Sequence, residues 1–374
     1  MGDFEKHINI FQQTLDNSMD KVRLNLSDYA WSIINADMED FTDKENRSRL
    51  SDFINLIFNN YFEESPANLQ RRYIEKKDEY EILFQQKELK DLPEKEKQNI
   101  IEKLLEKYIA QEAAKLQRFP KGKPNSGRNV RIKSPATFTI EEFAEDRFEI
   151  VYFKRLGMFL KIIVELYCEL PYTERERIIY QKQINIIEKA IAEKKAIVIT
   201  TKSQETFEIL PHKVIADDES TFNYVTCKAR DYKSAGDYLT KCFRISRIEH
   251  ISWMKTEKNA KGYLHEDEIQ ELNDLINVRG VQFISADCIN AKILLTKKGV
   301  KYYATRLRNR PEAIHIGNED EKGNREYTFF ATPIQLEIYF QRFGQDAIVL
   351  EPDSLRKKFI KMYRDALVKY EEYI

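Results

Sequence analysis

The sequence predicts a multidomain α+β protein, and three features of its 374 residues support this fold class. Apolar residues recur at helical spacing through most of the first 190 residues. From residue 196 the pattern changes to short β-rich runs at 197–199, 206–210, 222–228 and 243–248. This spacing of short strands is typical of a small β-barrel. The last part of the chain alternates strands with helices. At roughly 150 residues per domain, this length allows two or three domains.

Composition and charge narrow the class of protein. Hydrophobic residues make up 42% and charged residues 33%, which is enough apolar material for a core and excludes wholesale disorder. The net charge is -1, so any site for a polyanion must come from the local distribution of charge. Residues 1–15 lack a signal-peptide apolar region, and no uncharged apolar run approaches ~18 residues. We therefore expect a cytoplasmic protein with no membrane segment.

The residues that usually carry catalysis or bind metals are sparse. Cys168, Cys227, Cys242 and Cys288 form no CxxC pair and have no His at ligand spacing, which predicts reduced core or strand cysteines. The patterns GxxxxGK[ST], GxSxG and HExxH are absent. The acidic run 217–219 could bind a metal, but an acidic β-turn is the simpler interpretation. We expect no enzymatic activity, no cofactor and no metal.

The first structured segment reads as one strand and two helices. Residues 21–26 alternate between polar and apolar, as in a strand with one buried face. Ser27 is a natural N-cap, and apolar spacing predicts helices over 30–41 and 50–61. Within this segment the strand has no partner and each helix has one broad apolar face. We therefore expect an intertwined homodimer to complete the core.

This order resembles the ribbon-helix-helix fold of small bacterial repressors over residues 21–61. In that family two strands pair across the dimer axis and enter the DNA major groove. The resemblance implies base contacts by Lys21, Arg23 and Asn25. It also implies phosphate contacts by Arg47 and Ser48 at the start of the second helix. The alternative is an ordinary solvated edge strand.

Residues 66–190 read as a helical spacer that contains a basic β-wing. Helical spacing predicts a hairpin over 66–116 and further helix over 141–195. Between them, 115–133 is basic, rich in Gly and Pro, and without acidic residues. Such a loop, running into an alternating strand at 130–133, is typical of a wing that follows a phosphate backbone. A solvated loop is the alternative. The candidate wing residues are Lys121, Lys123, Arg128 and Arg131.

Three motifs in the β-rich region resemble the WYL domain of bacterial and phage-defence regulators. They are ILPHKV at 209–214, FNYVTC at 222–227 and CFRISRI at 242–248. WYL domains are Sm-like five-stranded barrels that bind nucleic acid or a small anionic ligand in a basic groove. Here the eponymous triplet is Asn223-Tyr224-Val225, and Ser246 stands where the family usually has Asp.

Matching the motifs residue by residue implies a groove lined by His212, Tyr224, Arg244 and Arg247, which Arg230 extends. The chemistry agrees, because Arg offers bidentate donors to phosphate, Tyr offers a stacking ring and His adds a donor. Two alternatives stay open. One of Arg244 and Arg247 serves only in a salt bridge of the barrel, or His212 is a structural histidine.

The remainder of the chain resembles the extension that commonly follows WYL domains. FGQDAIVLEP at 343–352 matches its closing motif, and the order of strands and helices implies a ferredoxin-like α/β sandwich. Residues 296–310 carry six Lys or Arg and no acidic residue, so this stretch is either a second basic face or a solvated helix.

The whole chain looks like the WYL accessory proteins encoded beside type VI-D CRISPR RNA-guided RNA nucleases. The domains would be a ribbon-helix-helix at 1–65, the spacer with its wing at 66–190, the WYL domain at 191–255, and a linker with the ferredoxin-like extension at 256–374. The resemblance implies a homodimer that binds single-stranded RNA and modulates the nuclease. The alternative is a DNA-binding transcriptional regulator whose WYL domain senses a ligand.

Overall fold

A computed structural model describes most of the chain. It covers residues 22–41, 50–85, 92–120, 122–123, 126–132, 156–217, 222–232, 234, 236–254, 262–285 and 287–373. The chain divides into two compact units, Met1–Gln181 and Lys182–Ile374. The described residues form an α+β protein with three antiparallel sheets. Within them, no helix has the length and apolar character needed to cross a membrane.

The first unit is mostly helical. Its described elements are β1 (Val22–Leu24), α1 (Asp28–Phe41), α2 (Leu50–Tyr61), α3 (Leu69–Phe84), α4 (Glu94–Leu116), β2 (Arg128–Val130), α5 (Leu156–Glu169) and α6 (Tyr172–Ile179). The predicted strand, its two helices and the helical hairpin are all present. Ser27 caps α1, because its Oγ accepts a hydrogen bond from the Ala30 backbone N at 3.1 Å.

Helix α5 is the centre of the first unit. It is buried continuously from Phe159 to Cys168, as expected for a helix that is apolar on nearly every side. Helices α1 and α2 and strand β1 pack against it. The Phe159 ring lies 6.0 Å from that of Phe58 and 5.5 Å from that of Phe62, between ring centroids. A third helix of the same chain therefore closes the core that one strand and two helices leave open.

Strand β1 also finds its partner within the chain. It pairs antiparallel with β2, with Val22 opposite Val130 and Leu24 opposite Arg128. Val22, Leu24 and Val130 are buried beneath this two-stranded ribbon. The expectation that a second chain must supply the partner strand and the missing core is therefore wrong, because β2 and α5 return from later in the sequence. Dimerisation itself stays a prediction.

The second unit begins with a helix and a five-stranded antiparallel sheet. Its elements are α7 (Gln181–Ala192), β3 (Ile197–Thr201), β4 (Thr206–Ala216), β5 (Asn223–Asp231), β6 (Leu239–Arg244), β7 (Ile248–Trp253) and α8 (Glu266–Arg279). The strand order is β6-β5-β4-β3-β7. In the described residues no ladder joins β6 to β7, so the sheet is open and the predicted closed barrel is not formed. The predicted single strand over 243–248 is wrong, because the chain turns through Ile245–Arg247 to reach the opposite edge.

The end of the chain forms a second sandwich. Its elements are β8 (Ile289–Leu295), α9 (Lys297–Thr305), β9 (Ala313–Glu319), β10 (Arg325–Ala331), α10 (Pro333–Phe340), β11 (Ala347–Glu351) and α11 (Asp353–Glu371). The strand order is β11-β8-β10-β9, and the chain runs β-α-β-β-α-β as predicted for a ferredoxin-like sandwich. Thr296 caps α9 through a hydrogen bond from the Gly299 backbone N at 3.1 Å. Phe329, Leu336 and Phe340 are fully buried in its core.

Candidate nucleic-acid interface

Most of the predicted groove residues share one face of the five-stranded sheet. Along β5, Val225, Cys227 and Ala229 point inward and are fully buried. Because side chains alternate along a strand, Tyr224 and Arg230 lie on the opposite face. The ladder between β5 and β6 places Tyr224 directly opposite Arg244. The sheet therefore brings the predicted stacking ring beside one of the predicted arginines.

His212 joins this face at a bulge in β4. The register between β4 and β5 shifts between Pro211 and Lys213, and His212 Nδ1 lies 3.3 Å from Thr226 Oγ1. Burial and the neighbouring Lys213 ammonium lower the pKa of His212 to about 4. The imidazole is therefore neutral near pH 7. It can donate or accept one hydrogen bond but adds no positive charge to the groove.

Two arginines stand at the end of the sheet. The Arg244 guanidinium lies 3.1 Å from the centroid of the Phe222 ring, a cation–π contact. Arg247 is exposed in the turn that follows β6, and its backbone O accepts a hydrogen bond from Lys202 N at 2.9 Å. Among the described residues, no carboxylate forms an ion pair with Arg247. This end of the sheet, defined by Phe222, Tyr224, Arg244 and Arg247, is called the sheet-end cluster.

Arg230 lies apart from this cluster. Its Nη2 is 2.9 Å from Glu208 Oε2, and Glu208 is almost fully buried. The Arg230 guanidinium also stacks 4.7 Å from the Tyr238 ring centroid, while the Tyr238 hydroxyl donates to Glu208. Six residues of strand separate Arg230 from Tyr224, about 20 Å at 3.4 Å per residue. Its charge is cancelled inside the sheet, so it does not extend the cluster.

Helix α8 covers the middle of the same sheet face. Leu272 and Ile276 of this helix pack in one apolar cluster with residues of the sheet. Lys213 Nζ donates to Asn273 Oδ1 at 2.9 Å, and Lys228 Nζ is 2.7 Å from Glu271 Oε2. This segment was predicted to be a linker, although the acidic run at 266–268 is a typical helix start. Any ligand therefore meets the end of the sheet and not its middle.

A second basic surface lies on the ribbon of β1 and β2 in the first unit. Arg23 stands opposite Asn129, and both are exposed, as are Asn25 and Arg131. The structure thus unites the predicted DNA-reading strand and the predicted wing into one element. Asn129 was missed, because only its pairing with Arg23 places it on this face. Four predicted residues lie outside the described part of the chain, namely Lys21, Arg47, Ser48 and Lys121.

The remaining wing residues contact helix α1. Lys123 Nζ lies 2.9 Å from Asp28 Oδ2, and the Arg128 guanidinium stacks 4.6 Å from the Trp31 ring centroid. The loop approaches β1 so closely that a Cβ atom on Gly122 would lie 2.1 Å from the Leu26 carbonyl oxygen. The wing is therefore docked on the first unit, and glycine is needed where it crosses the end of the strand.

No family model matches this chain, and no curated protein does. A solved structure described as the crystal structure of a CRISPR Cas-related protein is similar over 95% of both chains, with 23% identity and a TM-score of 0.73. A structure of the proteasome accessory factor PafBC of Arthrobacter aurescens aligns over 65% of this chain and 37% of its own, with 15% identity. Its TM-score of 0.30 is too low to support any conclusion. The chain shares its fold with a CRISPR Cas-related protein.

Proposed function

We propose that this chain is a non-enzymatic, homodimeric protein that binds single-stranded RNA and modulates an RNA-guided type VI-D CRISPR RNA nuclease. Association with a CRISPR system is supported by the fold shared with a CRISPR Cas-related protein over 95% of both chains. The observation that carries RNA binding is the sheet-end cluster, where Tyr224 lies opposite Arg244 and the exposed Arg247 follows three residues later in the chain.

The chemistry of the cluster favours a single strand. Proteins hold single-stranded nucleic acid by stacking bases on aromatic rings and by pairing phosphates with cations. Tyr224 is partly exposed, whereas the Phe222 ring is covered by the Arg244 guanidinium. Tyr224 is therefore the ring that stacks on a base, and the two arginines bind the adjoining phosphates as bidentate donors.

The direct test is an electrophoretic binding assay with a labelled single-stranded RNA. Arg244→Ala and Arg247→Ala should each weaken binding by about 1–3 kcal/mol, the scale of a lost charge-assisted contact. Tyr224→Ala should lose a comparable amount with little dependence on which base is present. The matched control is Arg356→Gln, because Arg356 is paired with Asp353 at 2.5 Å. Wild-type affinity in all three cluster variants, with unchanged melting, would exclude this cluster as the RNA site.

Two further measurements test the rest of the proposal. Light scattering should give twice the 44.5 kDa chain mass, and a monomer at micromolar concentration would contradict the homodimer. The RNA cleavage rate of a type VI-D nuclease should change when the wild-type chain is added. It should return toward the unassisted rate when Arg247→Ala replaces the wild type, because that variant binds RNA more weakly.

One observation favours the second candidate, a DNA-binding transcriptional regulator with a ligand-sensing WYL domain. The major groove of B-DNA admits a two-stranded ribbon, and Arg and Asn are the side chains that read G and A edges. The exposed face of the β1 and β2 ribbon carries Arg23, Asn25, Asn129 and Arg131. Replacing Arg23 and Asn129 by Ala should reduce duplex DNA binding and leave RNA binding nearly intact. If RNA binding is lost instead, the ribbon is the RNA site.

A further inference from the structure

The C-terminal sandwich carries positive charge concentrated around α9. The chain as a whole has a net charge of -1, yet residues 296–310 include six Lys or Arg and no acidic residue. Lys297 and Lys301 are exposed and lie one helical turn apart on the same side of α9. Arg306 and Arg310 follow in the loop after the helix. These four residues are called the α9 surface.

The two arginines of the α9 surface are held by aromatic rings. The Arg306 guanidinium lies 4.3 Å from the ring centroid of Tyr302 and 5.5 Å from that of Phe343. The Arg310 guanidinium lies 5.2 Å from the Tyr303 ring centroid. Their other hydrogen bonds within the described residues go to carbonyl oxygens, from Arg306 Nη1 to Arg342 O and from Arg310 Nη1 to Tyr303 O. Rings and carbonyls orient a guanidinium without cancelling its charge.

The loop that carries these arginines is itself anchored. The Tyr339 hydroxyl donates to Arg306 O at 2.7 Å, and the Tyr303 hydroxyl donates to Pro311 O at 2.9 Å. Gln335 Nε2 donates to Asn309 O at 3.4 Å. Side chains from α9 and α10 therefore fix the backbone on both sides of the loop. Cations that are already oriented lose less conformational entropy when they bind an anion.

Two other arginines of the same sandwich are neutralised. Arg325 Nη2 lies 2.7 Å from Glu319 Oε2, and Arg356 Nη2 lies 2.5 Å from Asp353 Oδ1. Lys298, beside the α9 surface, pairs with Asp346 at 3.4 Å. In the part of the chain that the structure describes, no carboxylate forms an ion pair with Arg306 or Arg310. Arg306 and Arg310 therefore differ from Arg325 and Arg356, because no carboxylate among the described residues offsets their charge.

We propose that the α9 surface is a second RNA-binding site, which holds the phosphate backbone of single-stranded RNA. The identity of the polyanion rests on the proposed function, whereas the site is separate from the sheet-end cluster. Fixed guanidinium groups match the bidentate geometry of phosphate oxygens. Arg306 covers the Tyr302 ring and Arg310 covers the Tyr303 ring, so these rings are not open to bases. The site should therefore bind RNA without base preference.

The test uses the full chain and a fluorescein-labelled single-stranded RNA, titrated at several salt concentrations. Two double variants remove the charge, Lys297→Gln with Lys301→Gln, and Arg306→Gln with Arg310→Gln. Each should weaken binding roughly tenfold or more, because each removes two charge-assisted contacts with phosphate. The slope of log affinity against log salt should fall by ~0.7 for each phosphate contact removed. Arg356→Gln is the matched control and should leave both quantities unchanged.

The lysine variant provides an independent test if the arginine variant has a lower melting temperature. Lys297 and Lys301 are exposed, so replacing them should not disturb folding. Wild-type affinity and slope in both variants, with weaker binding by Arg247→Ala, would overturn the second site and leave the proposed function intact. A lower affinity with an unchanged salt slope would overturn phosphate contact. Normal RNA binding with lost nuclease association would assign the surface to an acidic protein instead. If the wild-type chain binds no RNA, the proposed function itself is wrong.

Discussion

Arg175 of the first unit and Arg247 of the second occupy opposite environments. Arg175 is buried, with Nε 2.7 Å from Asp37 Oδ2 and Nη2 3.1 Å from Asp37 Oδ1. The Tyr167 hydroxyl donates to the same carboxylate at 2.8 Å, and burial followed by the charge of Asp37 raises the pKa of Tyr167. Arg247 is exposed at the end of a sheet. Both arginines lie in short helical segments, but Arg175 is buried in an ion pair and Arg247 faces solvent.

The position of the counter-charge separates a structural arginine from one that can bind a polyanion. A bidentate carboxylate satisfies the guanidinium and cancels its charge, which leaves nothing for a polyanion to recognise. An arginine held by rings and a carbonyl, such as Arg306, remains attractive to phosphate. Arg230 belongs with Arg175, because the buried Glu208 neutralises it.

Arg175→Ala should destabilise the first unit by about 3–5 kcal/mol, because it leaves Asp37 as an uncompensated buried charge. Urea unfolding followed by circular dichroism measures this loss. The double variant Asp37→Leu with Arg175→Met is the control and should recover much of the stability, since neither charge then remains buried. A loss well below ~1 kcal/mol in Arg175→Ala would show that water solvates Asp37 when Arg175 is absent. Arg175 would then not be a structural arginine.

Arg230→Ala should lower stability by about 1–3 kcal/mol, because Glu208 loses its charged partner while it stays buried. RNA affinity per folded molecule should not change. Arg247→Ala should do the reverse, with unchanged melting and weaker RNA binding. Melting temperature and RNA affinity should therefore be measured for both variants, which change two arginines of the same sheet region. If a fully folded Arg230→Ala variant loses RNA affinity, Arg230 is part of the RNA-binding site.

His212 gives a smaller, pH-dependent effect. Its folded pKa is lowered to about 4, below the 6.5 of an unperturbed histidine, because of burial and the nearby Lys213. Between these values the unfolded chain binds a proton that the folded chain does not, so stability should fall as pH drops from about 6.5 toward 4. Thermal melting of wild type and His212→Asn should show a flatter profile in the variant. Equal profiles would mean that His212 is not buried as described.

The smallest effect is expected at Lys123. Its ion pair with Asp28 at 2.9 Å is exposed on both sides, so solvent and salt screen the pairing. Lys123→Ala should leave the melting temperature of the chain unchanged within error. The same variant should lower duplex DNA binding only slightly, because Asp28 already offsets this charge. A large loss of DNA binding would show that Lys123 binds DNA despite its exposed carboxylate partner. Only buried ion pairs would then prevent an arginine or lysine from binding a polyanion.

Local sequence patterns were sufficient for most of the individual elements. Alternation predicted β1, helical spacing predicted α1, α2 and the α3–α4 hairpin, and the N-cap Ser27 lies where it was expected. The β-α-β-β-α-β order of the last domain was also read correctly. These features depend on residues within a few positions of one another, so periodicity and capping chemistry determine them.

Tertiary structure decided which elements meet. The pairing of Arg23 with Asn129, the central place of α5 and the cover of α8 over the sheet all join segments that lie far apart in the sequence. The same holds for the counter-charges, since Asp37 neutralises Arg175 across the first unit and Glu208 neutralises Arg230 across two strands. The sequence alone determined which residues are cations. Which of these cations lie beside a carboxylate and which can still attract an anion depends on the fold, because electrostatic energy depends on distance in space and on burial.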